Sequence, residues 1–308
     1  MKRRVFLTGL AGAGAAMGLT ACGAGGDPLA GQTPGGGDQA APGDIVVGSA
    51  NFTESNVLAE LYAGAMVGKG IKATTKLGIG SREVYIQALK DGSISVIGEY
   101  GGNLLQFLDE GNPATTADDI EAALGKATAP DLAVLQSSQA ADQDVYCVTK
   151  AFSEKNGVTS LADLKKIAAQ SSLGGPGELQ DRPYGPPGLE GIYQAKFKEF
   201  KTYDSLAVKV KDLTDDKVQV ATFFTTDSAI ADNDLVQLED PQQMILPQQV
   251  IPLVRSDVKD NAEAVSAIEG VQAALTTEAL RDLNKRVDTD HENAKDVAAD
   301  WLAEKGLA

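Results

Sequence analysis

The chain has 308 residues, with 27 Lys and Arg against 43 Asp and Glu, a formal charge of −16. This acidic balance excludes nucleic-acid binding, which needs clustered basic side chains against phosphate, and adhesion to anionic lipid through a basic face. Hydrophobic residues at 43% and charged residues at 23% are ordinary for a globular chain, and 1 Trp, 7 Tyr and 8 Phe are few enough to weigh singly.

Residues 1–21 read as a secretory signal. Lys2, Arg3 and Arg4 precede an apolar stretch from Val5 to about Leu19 that is too short and too rich in Gly for a permanent span. Arg3-Arg4-Val5-Phe6-Leu7 resembles a twin-arginine export signal. Leu19-Thr20-Ala21-Cys22 resembles a lipobox, whose cysteine thiol accepts diacylglycerol. Residues 22–43 then form the lipidated Cys22 and a Gly- and Pro-rich tether that buries too little apolar surface to fold. Lipidation of Cys22 leaves Cys147 alone, so no intramolecular disulfide is expected; Cys147 reads as a small buried residue or as a reactive thiol. A body tethered in this way works at the extracytoplasmic face of the cell membrane, in a bacterial envelope.

The folded body is expected from about Asp44. Ile45 to Gly48 predicts a strand, and Ser55 to Lys69 a helix with apolar Val57, Leu58, Leu61, Tyr62, Ala65 and Met66, an N-cap at Thr53 and a stop at Gly70. A strand over Ile71–Leu77, a helix over Ser81–Leu89 and a strand over Ile94–Ile97 follow. This β-α-β-α-β order predicts an open, mainly parallel sheet flanked by helices. Further along, helices are expected over Asp118–Ala127, Ser160–Ala169 and Gly188–Phe200, and strands over Leu132–Leu135, Val145–Thr149 and Val218–Thr222. Leu173–Pro187, rich in Gly and Pro, reads as loop, and residues 261–308 as helices with Ala264, Ile268, Val271 and Leu275 in one stripe and Val297, Trp301 and Leu302 in another. A break near 150 and a return near 225 divide the body into lobe I (44–147 and 227–308) and lobe II (148–226), joined by two crossing strands.

Signals for catalysis are weak. The single His291 lies in the polar run Asp288-Thr289-Asp290-His291-Glu292, and no nucleophile elbow, phosphate loop or zinc set is present. The acidic pairs Asp215-Asp216 and Glu239-Asp240 read as solvated turns, and Asp232-Asn233-Asp234 is too short for a calcium loop. More informative are aromatics or Arg beside Gly and Pro at expected strand ends: Asn51-Phe52, Tyr100-Gly101-Gly102-Asn103, Tyr146, Arg182-Pro183-Tyr184-Gly185, Phe223-Phe224-Thr225-Thr226-Asp227 and Pro247-Gln248. Open α/β sheets bind ligands at strand carboxyl ends and between domains. Ring faces attract an alkylated cation, and a fixed guanidinium takes a carboxylate in a two-pronged contact, so such parts suit a zwitterion.

Four blocks give these segments a known setting: Gly48-Ser49-Ala50-Asn51-Phe52-Thr53-Glu54; Gly80-Ser81-Arg82-Glu83-Val84 with Ala88-Leu89, Gly92 and Glu99-Tyr100-Gly101-Gly102; Arg182, Gly185, Gly188-Leu189 and Tyr193; and Thr226-Asp227 with Leu235-Val236-Gln237-Leu238-Glu239-Asp240. In order and spacing the chain resembles the substrate-binding lipoproteins of osmoprotectant ABC importers, the glycine betaine/choline/carnitine group, over about residues 44–305. The resemblance implies an α/β, two-lobed, periplasmic-binding-protein-like clamshell of type II, each lobe a mainly parallel sheet flanked by helices. It implies a monomer that does no chemistry, needs no cofactor or metal, and delivers a quaternary-ammonium solute to the transmembrane permease. By resemblance, Tyr100 and Tyr146 match cage tyrosines, Arg182 the carboxylate anchor, Asn103 a position tuning ligand choice, and Asn51 and Ser55 a loop that closes the pocket. Phe224 and Gln248 stand where the family usually has Tyr, so another betaine such as ergothioneine, or an amino-acid-like zwitterion, stays open as the ligand. An extracytoplasmic hydrolase and an assembly lipoprotein without a ligand are the readings from other classes.

Overall fold

A computed structural model describes residues 44–308. The expected signal, the lipobox Cys22 and the tether lie outside the described residues. The chain begins its first sheet with β1 (Ile45–Gly48), α1 (Thr53–Gly68), β2 (Ala73–Lys76), α2 (Arg82–Lys90), β3 (Val96–Tyr100), α3 (Gly101–Leu108), α4 (Ala117–Ala127) and β4 (Leu132–Val134). It then crosses into a second sheet with β5 (Asp144–Thr149), α5 (Lys150–Asn156), β6 (Ser172–Gly175), α6 (Pro186–Tyr193), β7 (Glu199–Thr202), α7 (Leu206–Thr214), β8 (Val220–Phe224), α8 (Ala229–Asp232) and β9 (Leu235–Gln237). It returns through β10 (Val250–Arg255) and ends in α9 (Ser256–Lys259), α10 (Ala262–Ala274), α11 (Thr277–Asp288) and α12 (Ala294–Lys305).

The five-stranded sheets have the orders β2-β1-β3-β10-β4 and β7-β6-β8-β5-β9. β1 is parallel to β2 and β3, whereas β10 is antiparallel to β3 and β4. Likewise β6 is parallel to β7 and β8, and β5 antiparallel to β8 and β9. The sheets are therefore mixed rather than mainly parallel. The physical reason lies in the crossings: β5 and β10 are the strands that arrive from the opposite sheet, and each enters against the local direction.

The sheets also shift the expected lobe limits. β5 pairs within the second sheet from Asp144, opposite Phe224, and β9 extends that sheet to Gln237, so limits at 147 and 227 cut through it. The two crossing segments run side by side. Ser138 N–H donates to Val250 O (2.9 Å), Val250 N–H to Ala140 O (2.9 Å) and Asp142 N–H to Gln248 O (3.1 Å).

Helix α1 is buried along most of its length between the first sheet and α10–α12, where Leu58, Tyr62, Met66, Ile268, Val271 and Trp301 share one core. The other face of that sheet is covered by α2–α4 through Ile86, Leu89, Leu104 and Leu124. Burial of each such side chain contributes about 1.5–3 kcal/mol. Gly70 stops α1 at φ +78° as expected. Phe52, not Thr53, is the extended N-cap, and the Thr53 hydroxyl donates instead to Asp288 Oδ1 on α11 (2.5 Å).

Beside the second sheet, the helix expected from Ser160 is a 3-10 segment, Leu161–Lys166, with Ser160 and Asp163 forming a capping box at its start. β6 stands where a loop was expected. A Cβ at Gly175 would lie 2.7 Å from Leu179 Cδ2 and 2.8 Å from Thr222 Oγ1, so its glycine admits close packing instead of marking a turn. The helix expected to Phe200 stops at Tyr193, and Glu199–Thr202 pairs as β7.

Candidate ligand-binding cleft

The carboxyl ends of β1, β3 and β8 open on a cleft of about 310 Å³. The loop after β1 is pinned from within. Ser55 Oγ accepts from Ala50 N–H (2.8 Å), and Ser49 Oγ donates to Asn56 Oδ1 (2.6 Å) while accepting from Gly78 N–H (2.8 Å). Phe52 is thereby presented at the cleft wall. Its ring centroid lies 5.5 Å from that of Phe224, nearly stacked at 28°, and 6.2 Å from that of Tyr100 at 34°. Tyr100 ends β3 and Phe224 ends β8, so the three rings come from both sheets.

Beneath the rings lies a buried acid. Glu54 accepts from the Tyr100 hydroxyl through Oε1 (2.7 Å), and from the Thr226 hydroxyl and Asn284 Nδ2 through Oε2 (2.7 Å each). Burial pushes the Glu54 carboxyl up from its ordinary value, against the pull of those three donors, and the charge of Asp227 adds to the rise. Asp142 accepts from Thr225 Oγ1 (3.1 Å) and Thr226 N–H (3.0 Å), while its buried Oδ2 has no hydrogen-bond partner among the described residues. Burial, then the charges of Glu54 and Asp227, hold Asp142 well above the usual carboxylate range.

Among the described residues, three cations line the cleft: Arg82, Arg182 and Lys209. Arg82 is gripped by Glu99 through Nε–Oε1 (2.8 Å) and Nη2–Oε2 (2.9 Å), and the Tyr85 hydroxyl also donates to Glu99 (2.7 Å). Arg182 Nη1 lies 2.8 Å from Glu83 Oε1, with its guanidinium 5.5 Å from the Phe107 ring centroid. Partial burial works against the charged Glu83, but the hydrogen bonds from Arg182 and Ser81 hold its carboxyl down at about 2.

Of the residues singled out in the sequence, Asn51, Ser55, Tyr100, Asn103, Arg182 and Phe224 line the cleft. Tyr146 and Gln248 do not, which corrects their expected place in the cage. Tyr146 is 1% exposed in the second sheet's core, its hydroxyl donating to Tyr184 O (2.6 Å). Gln248 is fully buried in a crossing segment, where its amide accepts from Asn103 N–H (3.0 Å) and donates to Asn103 Oδ1 (2.7 Å). Asn103 in turn donates to Asp144 Oδ2 (2.7 Å), so Gln248 fixes a lining residue instead of offering a surface. Phe52, Glu54, Tyr184, Lys209 and Asp227 line the cleft without having been assigned a role from the sequence. Phe52, Tyr184 and Asp227 lay in segments flagged as strand ends, and Glu54 closes the first of the four blocks; Lys209 carries no signal beyond residue type. His291 is exposed between α11 and α12 and is not among the lining residues.

Paired mixed sheets, two crossings and a cleft at strand ends define a two-lobed solute-binding protein. Residues 43–304 match the family model for the substrate binding domain of ABC-type glycine betaine transport systems, and the chain belongs to that family. It is 26% identical over 277 residues to the glycine betaine-binding protein YehZ of Escherichia coli K12, covering 85% of this chain and 90% of the relative. The ergothioneine transport permease/ergothioneine binding protein EgtU of Helicobacter pylori G27 is 24% identical over 271 residues, 85% of this chain but only 48% of that longer protein. Among solved structures, a glycine betaine/carnitine/choline ABC transporter protein superposes with a TM-score of 0.68 at 21% identity, covering 86% of this chain and 99% of the other, a likeness of fold.

Proposed function

We propose that the chain captures a quaternary-ammonium solute such as glycine betaine, choline or carnitine outside the cell membrane and delivers it to an ABC permease, without acting on it chemically. The observation that carries this reading is the convergence of Phe52, Tyr100 and Phe224 over buried Glu54. A trimethylated nitrogen has no N–H to donate, so hydrogen-bond acceptors cannot hold it by directed bonds. Ring faces and a diffuse negative potential can, at about 1–2 kcal/mol per desolvated ring. Asn51 and Ser55 shape the loop that bears Phe52, and Asn103 sets the wall beside Tyr100. The match to the transport family and the likeness to betaine-binding relatives support the same ligand class.

In this reading the protein is a monomer held to the extracytoplasmic face of the membrane through lipidated Cys22, the body reaching the permease on its tether. Among the described residues, no helix is long and apolar enough to cross a membrane. A larger betaine with N–H donors, such as ergothioneine, is favoured by one observation: Asp144, Asp204 and Asp227 also line the cleft and supply acceptors beyond the rings. A thermal-shift panel of glycine betaine, choline, carnitine, proline betaine and ergothioneine tests the proposal. The binding member should raise Tm in a concentration-dependent way, and no response to any of the five would overturn the reading.

A further inference from the structure

The buried acids under the rings are short of hydrogen. Glu54 and Asp142 meet at one residue: Thr226 donates its hydroxyl to Glu54 Oε2 (2.7 Å) and its N–H to Asp142 Oδ1 (3.0 Å). Glu54 is well supplied, because the Tyr100 hydroxyl and Asn284 Nδ2 donate to it as well (2.7 Å each). Asp142 is not. It is 3% exposed, its Oδ1 takes both of its donors, and its Oδ2 has no hydrogen-bond partner among the described residues. Asn284, 5% exposed, has its Oδ1 in the same condition. Two orphan acceptors with no orphan donor beside them leave the cluster lacking a proton, and an unpartnered buried oxygen costs less on a neutral carboxyl than on a charged one.

The charges around the pair lead to the same place. Asp227, in the loop after β8, repels both acids, and Glu54 repels Asp142. Tyr62 of α1 and Tyr100 of β3 face Glu54 as neutral phenols. On α11, Asp288 takes the Thr53 hydroxyl and acts on Asp227, while Arg281 is turned to Thr225 O (3.3 Å). Lys209 of α7 acts on Asp227 and lies over the Phe223 ring. Two buried carboxyls joined through one threonine and surrounded by further acid share a proton. Glu54, with three donors, keeps the charge, and Asp142 keeps the proton.

We propose that Asp142, which does not line the cleft, acts through Glu54 as a positioning residue for the solute's charge: it holds a proton on Oδ2 in the unliganded protein and loses it when a permanent cation seats on Phe52, Tyr100 and Phe224. The Oδ2–H bond breaks, its electron pair stays on the carboxylate, and the proton passes to the buffer. The proposal rests on the quaternary-ammonium reading above. An opposite charge within about 4–6 Å favours the ionised form of an acid. The bound state then carries fewer protons than the free one, so affinity rises with pH between the bound and free titrations of Asp142 and is level outside them.

The test is calorimetric titration of the full chain with choline and with glycine betaine, neither of which titrates between about pH 6 and pH 8. Phosphate and Tris, compared at about pH 7.5, differ in ionisation enthalpy and so report protons released. For a solute that binds, roughly 0.3–1 proton should be released per solute, and affinity should rise about 3- to 30-fold from pH 6 to pH 8. Asp142→Asn, which supplies the missing N–H donors without a charge, should abolish the release and level the pH profile. Loss of a merely structural contact would instead weaken binding equally at every pH and leave the release in place. His291→Gln is the control for the chain's one histidine and should leave the release intact. Thermal midpoints report whether each variant is folded, and the wild-type release decides if Asp142→Asn is not. Binding with no release and a flat pH profile, proton uptake, or a release that survives in folded Asp142→Asn would overturn the assignment while leaving the quaternary-ammonium reading in place. If neither solute binds, it is that reading that fails, and this inference falls with it.

Discussion

At the scale of single residues, the cleft turns on where each side chain points. Phe52 has a half-buried ring set against Phe224 and Tyr100 and packed on the edge of both cores of the first sheet, so its removal opens the wall and loosens its support. Phe52→Ala should weaken binding of a quaternary ammonium about 5- to 30-fold, the equivalent of roughly 1–2 kcal/mol, and should lower Tm while the chain stays folded; unchanged affinity in a calorimetric titration would show that the ring is not in contact. The buried acids make a second prediction. Glu54, Asp142, Asp144 and Asp227 all have carboxyls raised above their ordinary values, burial being the leading cause. A group with a raised folded pKa contributes stability that is complete below its unfolded value, about 4, and is lost as the pH climbs through the folded value. Tm of the unliganded protein should therefore fall from about pH 5 towards pH 8, and Asp142→Asn should flatten that fall; a Tm that rises over this range would contradict the burial argument. The rings were legible in the sequence as types and as neighbours of Gly and Pro, which is how Tyr100 and Phe224 were found. Whether a ring faces a cleft or a core is a matter of strand register, since one step along a strand reverses the face. That is why Tyr146, in β5, goes to the core and had been expected in the cage.

At the scale of elements, glycines hold the wall in place. Gly102, in the first turn of α3, faces the crossing segment so closely that a Cβ would lie 2.6 Å from Leu246 Cβ and 2.7 Å from Pro247 O. Gly102→Ala should push α3, and with it Asn103, off Gln248. A destabilisation of about 1–3 kcal/mol in chemical denaturation is expected for such overpacking, together with weaker ligand binding; a variant of wild-type stability would mean that the approach is looser than this geometry. The β-α-β-α-β reading of residues 45–97 held because period and caps agreed there. β10 escaped it because Pro247 and Pro252 punctuate its run, and proline ordinarily argues against a central strand. β6 escaped because its Gly-Gly pair carries no side-chain pattern at all, although the reason for those glycines is the close approach of Leu179, Thr222 and Tyr203.

At the scale of the molecule, the two sheets are joined by segments 135–143 and 238–249, which pair with each other where they cross. Glu54 reaches across this arrangement, binding Tyr100 and Asn284 from the first part of the structure and Thr226 from the loop after β8. A ligand seated on rings from both sheets is stabilised most when they approach, so saturating solute should reduce the radius of gyration measured by small-angle X-ray scattering. No change on saturation would indicate a rigid receptor. The two-lobed class and the transport family were readable from the order of four sequence blocks, whereas the direction of β5 and β10, set by the crossings, was not. The account depends above all on recognition of a methylated cation by ring faces, and that is tested most directly by titrating the chain calorimetrically with choline and with ethanolamine, which differ only in the three methyl groups. Choline, or its carboxylate counterpart glycine betaine against glycine, should bind at least about tenfold more tightly than the unmethylated partner; equal affinity, or preference for the unmethylated amine, would contradict the account.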